Sequence, residues 1–187
     1  MRKILPIILL AVFTSFAAAQ VPTSGNAFFG YSYYNTDISG LGRNGFNGWQ
    51  GSLEGKIFHG VGIVADLGGH YGSIPVTPPI STTCVAVPCP GNPVSGSTHI
   101  YDALFGPRFS ASFGRFRPFA EFEFGVSHVA TSPFGSGTCF GDAFGGGLDY
   151  RLVRPIAWRF QVDYLSTRFF SSSQSNVRIA TGIVLRF

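Results

Sequence analysis

Eight stretches of this chain change character at every second residue, and in each of them one of the two resulting faces carries no charge. This pattern constrains the fold more than any other feature. A period of two belongs to the β-strand, whose successive side chains point to opposite faces. The stretches are 26–35, 48–58, 61–72, 100–109, 118–129, 144–152, 156–165 and 176–187. The uncharged face holds residues such as Phe29, Leu53, Leu67, Phe105, Phe122, Leu148, Phe160 and Ile183. The other face holds Glu54, Asp66, Asp102, Glu121, Glu123, Asp149 and Asp163, which are seven of the nine acids, together with Lys56, Arg108, Arg151, Arg159, Arg178 and Arg186.

Each stretch has about ten residues, the length a tilted strand needs to cross the apolar layer of a membrane. Short links join the second to the third stretch at His59-Gly60, and the sixth to the seventh at Val153-Arg154-Pro155. A medium turn near Phe113 to Arg117 joins the fourth to the fifth, and the other four links are longer. Short turns at one end and long loops at the other suit an up-and-down barrel. Pro107 falls inside a stretch and lacks a ladder donor, so a bulge or bend is expected there.

Either face of such a barrel can point inward. A soluble lipid-binding barrel keeps its apolar face inside, and a membrane barrel reverses this. The aromatic residues decide for the membrane. With the short turns placed on the periplasmic side, Tyr33, Trp49, Tyr71, Tyr101 and Tyr164 fall at the outer rim. Phe109, Tyr150, Trp158 and Phe187 fall at the inner rim. Amphipathic rings at both interfaces form the girdles of a lipid-facing band. The fold class expected is therefore all-β: an eight-stranded antiparallel transmembrane barrel whose lumen is filled by polar side chains.

The N-terminus agrees with export. Arg2 and Lys3 precede an apolar run from Ile4 to Phe16, and Ala17-Ala18-Ala19 supplies a small-residue cleavage site before Gln20. This reads as a signal peptide over 1–19, followed by one barrel domain over 20–187. Removing Arg2 and Lys3 leaves 11 basic residues against 9 acidic ones, too little charge to suggest nucleic acid. Apart from the leader, no apolar run is long enough for a spanning helix.

The chain stops on "TGIVLRF", inside the last stretch, with Ile179, Ile183, Leu185 and Phe187 on one face. With the leader, the eight alternating stretches and this ending, the chain resembles the small outer-membrane β-barrels of the outer-membrane protein A transmembrane-domain type. The resemblance implies residence in the outer membrane of a bacterium, in contact with its lipid. It also implies that the ending Ile179, Ile183, Leu185 and Phe187 is read by the outer-membrane assembly machinery. In contrast to outer-membrane protein A itself, no appended peptidoglycan-binding domain is expected.

Eight strands leave an interior that side chains just fill. Glu54, Lys56, Asp66, Asp102, Arg108, Glu121, Glu123, Asp149, Arg159, Asp163 and Arg178 are therefore expected to form a paired charge network in the lumen. Asp149 should stand opposite Arg159, and Arg108 close to the level of Glu121. His70 and Asp102 both belong near the outer end of the lumen, where a polar contact is expected rather than a catalytic base. Ser127 and His128 are adjacent on a strand, so they face opposite ways. No enzyme activity, cofactor or metal site is expected.

Three cysteines in an oxidising compartment permit a disulfide. Cys84 with Cys89 is the first choice, and a bridge from that loop to Cys139 is the rival. The loop 73–98 holds these two cysteines, six of the twelve prolines and no charged residue. It is either a stiffened surface loop or a recognition surface for an unidentified extracellular partner. The functions left open are a structural or surface-interaction protein, expected as a monomer, and a narrow or gated porin-like channel.

Overall fold

In the computed structural model, which describes residues 24–38, 42–76, 94–132, 135–169 and 172–187, eight strands close into a barrel. They are β1 (Gly25–Ile38), β2 (Gly42–Phe58), β3 (Val61–Val76), β4 (Val94–Ser110), β5 (Phe116–Ser132), β6 (Gly135–Val153), β7 (Ile156–Phe169) and β8 (Ser172–Arg186). Every strand pairs antiparallel with the next, and β8 returns to β1. The seam continues to the last residue: Gly25 N donates to Phe187 O at 2.8 Å, and Phe187 N donates to Gly25 O at 3.1 Å. Closure satisfies every strand edge, which a sheet surrounded by hydrocarbon requires. The leader 1–19 and the pair Cys84 and Cys89 lie outside the described residues.

The strands are longer than the alternation predicts, from 14 residues in β1 to 19 in β6. The extra length lies almost entirely at the end away from the short turns. The loop 73–98 accordingly begins and ends as strand, at Ser73–Val76 and Val94–Thr98. The reason is visible along β5, where buried and exposed residues alternate strictly from Phe116 to Glu123 and irregularly beyond. Where the strands outrun the lumen and the apolar band, neither surface imposes a period of two on the sequence.

At the other end the turns are tight. Gly60 adopts φ 83° between β2 and β3, a conformation that favours glycine. Bulges fall beside the β2–β3 and β6–β7 turns, between Lys56 and Phe58 and between Arg151 and Val153. The bulge expected at Pro107 is not there. Pro107 stands opposite Ile63 in unbroken register with β3. On the β5 side, Phe105 faces Phe124 and Arg108 faces Glu121, so the register is the same before and after the proline. A missing N–H removes a ladder bond without inserting a residue.

Burial is inverted relative to a water-soluble protein. Phe29, Leu53, Leu67, Phe105, Phe144 and Ile183 are 45–66% exposed, whereas Arg108, Arg159 and Arg178 are at most 1% exposed. Only an apolar medium around the barrel makes that arrangement favourable, because burying charges while exposing a continuous apolar band runs against the hydrophobic effect in water.

Candidate functional site

The site is the lumen. Alternation aims one residue in two at the barrel axis, and the residues so aimed from all eight strands meet there. Toward the short turns they are charged. Arg159 from β7 donates to its hairpin neighbour Asp149 from β6 through Nε at 2.6 Å and Nη2 at 3.0 Å. Arg186 approaches the same carboxylate at 3.6 Å. The Arg159 guanidinium lies over the rings of Phe119 and Phe28, 4.5 and 5.1 Å from their centroids. Arg108 covers Phe119 at 4.6 Å, so two cations share that ring.

Arg108 pairs with Glu121 through both Nε and Nη2, the Nε bond measuring 2.6 Å, and reaches Glu54 at 3.2 Å. Glu54 also accepts from Asn26 at 2.8 Å and from Arg117 at 2.7 Å. Gln161 then links this group to the next level. It donates to Glu121 at 2.6 Å and to the Asp163 carboxylate at 2.9 Å.

Midway along the lumen, Arg178 is the hub. It donates to Asp66 at 2.8 Å and to Asp163 at 3.0 Å, and stands 3.8 Å from Glu123. Gln50 adds a 2.5 Å bond to Asp66. Arg178 lies on β8 and Asp66 on β3, so this pair joins strands that are not neighbours in the barrel. Bidentate and multiply bonded guanidinium groups are the pairs that best offset the desolvation of buried charge.

Beyond Arg178 the character changes. His70 Nε2 lies 2.9 Å from Ser32 Oγ, and His70 Nδ1 lies 3.6 Å from Asp102. Ser127 donates to Asp102 at 2.5 Å, while His128 turns outward to Thr138 at 2.7 Å. The His70 ring packs against Tyr34, 4.9 Å between centroids. Tyr34 then opens an apolar cluster of buried side chains with Phe46, Ile74, Ile100, Leu104, Ala143 and Leu165.

Of the residues expected to pair in the lumen, the structure joins all but Asp102, which bonds to Ser127 and lies beside His70, and Lys56, and it adds Arg117. Lys56 sits half-buried at the short-turn mouth and makes no ion pair among the described residues. Arg117 takes the inward position near it, 5% exposed and bonded to Glu54 and Ser110. Sequence reasoning missed Arg117 because it lies just before the fifth stretch, yet its spacing from Phe119, Glu121 and Glu123 places it on their face. The apolar cluster was missed as well, since the lumen was expected to be polar throughout. Phe46, Leu104 and Leu165 have a side-chain type that either face accepts, so parity alone was needed to find them.

The rim aromatics lie on the outer surface. Trp49, Tyr71, Tyr101 and Tyr164 are exposed and Tyr33 is half-buried. Tyr71 meets Tyr101 edge-on at 6.0 Å, and Trp49 approaches the Tyr71 hydroxyl at 3.5 Å, forming a continuous belt over β2, β3 and β4. The Trp49 indole lies across Gly69, where a Cβ would come within 2.7 Å of its nitrogen. At the short-turn end, Phe109, Trp158 and Phe187 are exposed, and Tyr150 packs on Phe116 at 5.1 Å. Ile179, Ile183 and Leu185 share the outward face of β8 with Phe187.

The fold is that of the small eight-stranded outer-membrane β-barrels. Neisserial surface protein A superposes with a TM-score of 0.66 at 10% identity, over 87% of this chain and 97% of that one. Ail, the attachment invasion locus protein of Yersinia pestis, superposes with a TM-score of 0.56 at 12% identity, over 88% of this chain and 98% of its own. Its complex with the heparin analogue sucrose octasulfate gives 0.58 at 14% identity. No protein-family model and no curated protein matches the sequence.

Proposed function

We propose that this chain is an integral outer-membrane barrel, exported by its leader, with a lumen closed to steady flow. It acts as a monomeric structural or surface-interaction protein through the strand extensions and links at the end away from the short turns. The observation that carries this reading is the inverted burial: arginines inside and an aromatic-rimmed apolar band outside. The kinship of fold with a surface protein and with an attachment protein supports a role at the cell surface. Phe187, with Ile179, Ile183 and Leu185, is assigned to recognition by the assembly machinery. The loop 73–98 is assigned to an extracellular partner.

The Ser32, His70 and Asp102 group is read as internal support rather than as a catalytic centre. All three side chains are almost fully buried, and the His70 ring packs on Tyr34 of the apolar cluster. A reacting group needs a place for its substrate within reach.

A narrow, gated channel is the second reading, and Glu123 favours it. Its carboxylate is 1% exposed, and neither oxygen has a hydrogen-bond partner among the described residues. A loosely held carboxylate can exchange partners along a charged lumen.

Membrane fractionation with gel migration before and after heating tests the first reading. The account expects recovery in the outer-membrane fraction and a heat-dependent change in mobility. Recovery as a soluble periplasmic protein would contradict it.

A further inference from the structure

Near the short turns the charge network leaves donors without partners. At the short-turn mouth, a cavity of about 640 Å³ opens between the β2–β3 turn, the end of β4 and the start of β5. Its polar lining includes Lys56, Arg117, Ser110 and Ser112, and its apolar lining includes Ile57 and Phe58. A cavity of this size falls in the range of small-molecule sites.

The electrostatics of the cavity are one-sided. Glu54 is the nearest carboxylate along β2, and it is already held by Asn26, Arg108 and Arg117. Arg117 is 5% exposed, and its Nη1 has no hydrogen-bond partner among the described residues. Its Nη2 donates to Ser110 Oγ at 2.6 Å, which leaves the serine proton free to be donated to something else. Lys56 faces the same cavity without an ion pair among the described residues. Buried or half-buried cations that outnumber their carboxylates call for an anion.

We propose that this mouth is a binding site for a phosphate-bearing anion. Lys56, the Arg117 guanidinium and the Ser110 hydroxyl offer donors from three elements, which suits an oxyanion with several acceptor oxygens. The apolar wall suits a phosphate attached to a hydrocarbon body. Phe58 is 74% exposed, and Phe113 and Phe116 on the neighbouring turn are 66% and 51% exposed. Cationic side chains beside exposed aromatic residues match the headgroup region of an anionic phospholipid. Free phosphate shares the same chemistry, so the test separates the two sources.

The refolded full chain is placed in nanodiscs of phosphatidylcholine mixed with phosphatidylglycerol, and the lipids retained after release are counted by native mass spectrometry. In parallel, inorganic phosphate is titrated into the protein in a zwitterionic detergent and followed by phosphorus NMR. The wild type should retain phosphatidylglycerol in preference to phosphatidylcholine. Binding of inorganic phosphate without lipid preference would support the site with a free anion as its ligand. Lys56→Gln removes one charge-assisted contact and should weaken retention on the order of tenfold. Arg154→Gln, an exposed charge at the β6–β7 turn and outside the cavity, should change nothing. Arg117 is a poor first choice because it also holds Glu54, and Lys56 avoids that ambiguity.

The proposal is overturned if neither probe binds, if Lys56→Gln binds as the wild type does, or if Arg154→Gln weakens binding as much as Lys56→Gln. The last result would assign the attraction to diffuse rim charge. Failure here leaves the membrane location untouched, because fractionation tests that separately.

Discussion

At one end of the lumen Tyr34, Phe46, Ile74, Ile100, Leu104, Ala143 and Leu165 close on one another. Toward the other end Arg108, Arg159 and Arg178 bridge carboxylates from five strands. Both regions solve the same problem, since a barrel of this size must be filled. They differ in what each residue depends on. An apolar cluster needs volume, and a neighbour of similar size can replace a member at modest cost. An ion-paired cluster needs every partner, because a charge left alone in the interior keeps its desolvation cost and loses its compensation. The difference predicts which substitutions the barrel tolerates.

The largest effect should come from Arg178→Ala. It leaves Asp66, Asp163 and Glu123 without their shared cation, at roughly 3–5 kcal/mol for a broken buried pair. The unfolding midpoint in urea, measured in detergent, should fall furthest for this variant, or the folded band should disappear from unheated gels. A midpoint like that of the wild type would mean the acids are neutral or solvated.

Arg159→Ala should come next, at about 3 kcal/mol by the same reasoning. The loss is smaller because Arg186 remains 3.6 Å from Asp149. Changing Asp149 and Arg159 together should cost less than the sum of the two single changes, and a double-mutant cycle measures that coupling. Strict additivity would show that the pair contributes packing alone.

In the apolar region, Phe46→Leu keeps hydrophobic character and much of the volume. It should lower the midpoint by less than about 1.5 kcal/mol. A loss as large as that of Arg178→Ala would erase the contrast between the two regions.

Phe187→Ala should have the smallest effect on the midpoint, because the ring is exposed and the backbone bonds to Gly25 do not depend on it. Outer-membrane yield should nonetheless drop if the assembly machinery reads this residue. Unchanged yield would remove that role.

The same contrast explains what could be read from the sequence. Charges mark a strand face without ambiguity, because Asp, Glu and Arg cannot point into lipid at modest cost. Asp149–Arg159 and Arg108–Glu121 were foreseeable because a short link and a medium turn set the register of their hairpins. Apolar residues carry no such mark. Phe28, Tyr34, Phe46 and Val184 sit on the charged face and looked unremarkable there, yet they fill the lumen. The partners of Arg178 were beyond local reading, since Asp66 is 112 residues away and the contact depends on how the barrel closes. The strand ends were misplaced for a related reason. Residues such as Ser97 and Ser132, which are paired and exposed beyond the lumen, show no alternation to detect.

The claim that joins both regions is that together they seal the barrel, the apolar cluster by filling space and the ionic one by cross-linking walls. Single-channel recording of the unmodified protein in planar bilayers tests it most directly. The account predicts no steady conductance, with at most small and brief openings as ion pairs exchange partners. A large, stable, voltage-independent conductance would contradict it and establish the channel reading in its place.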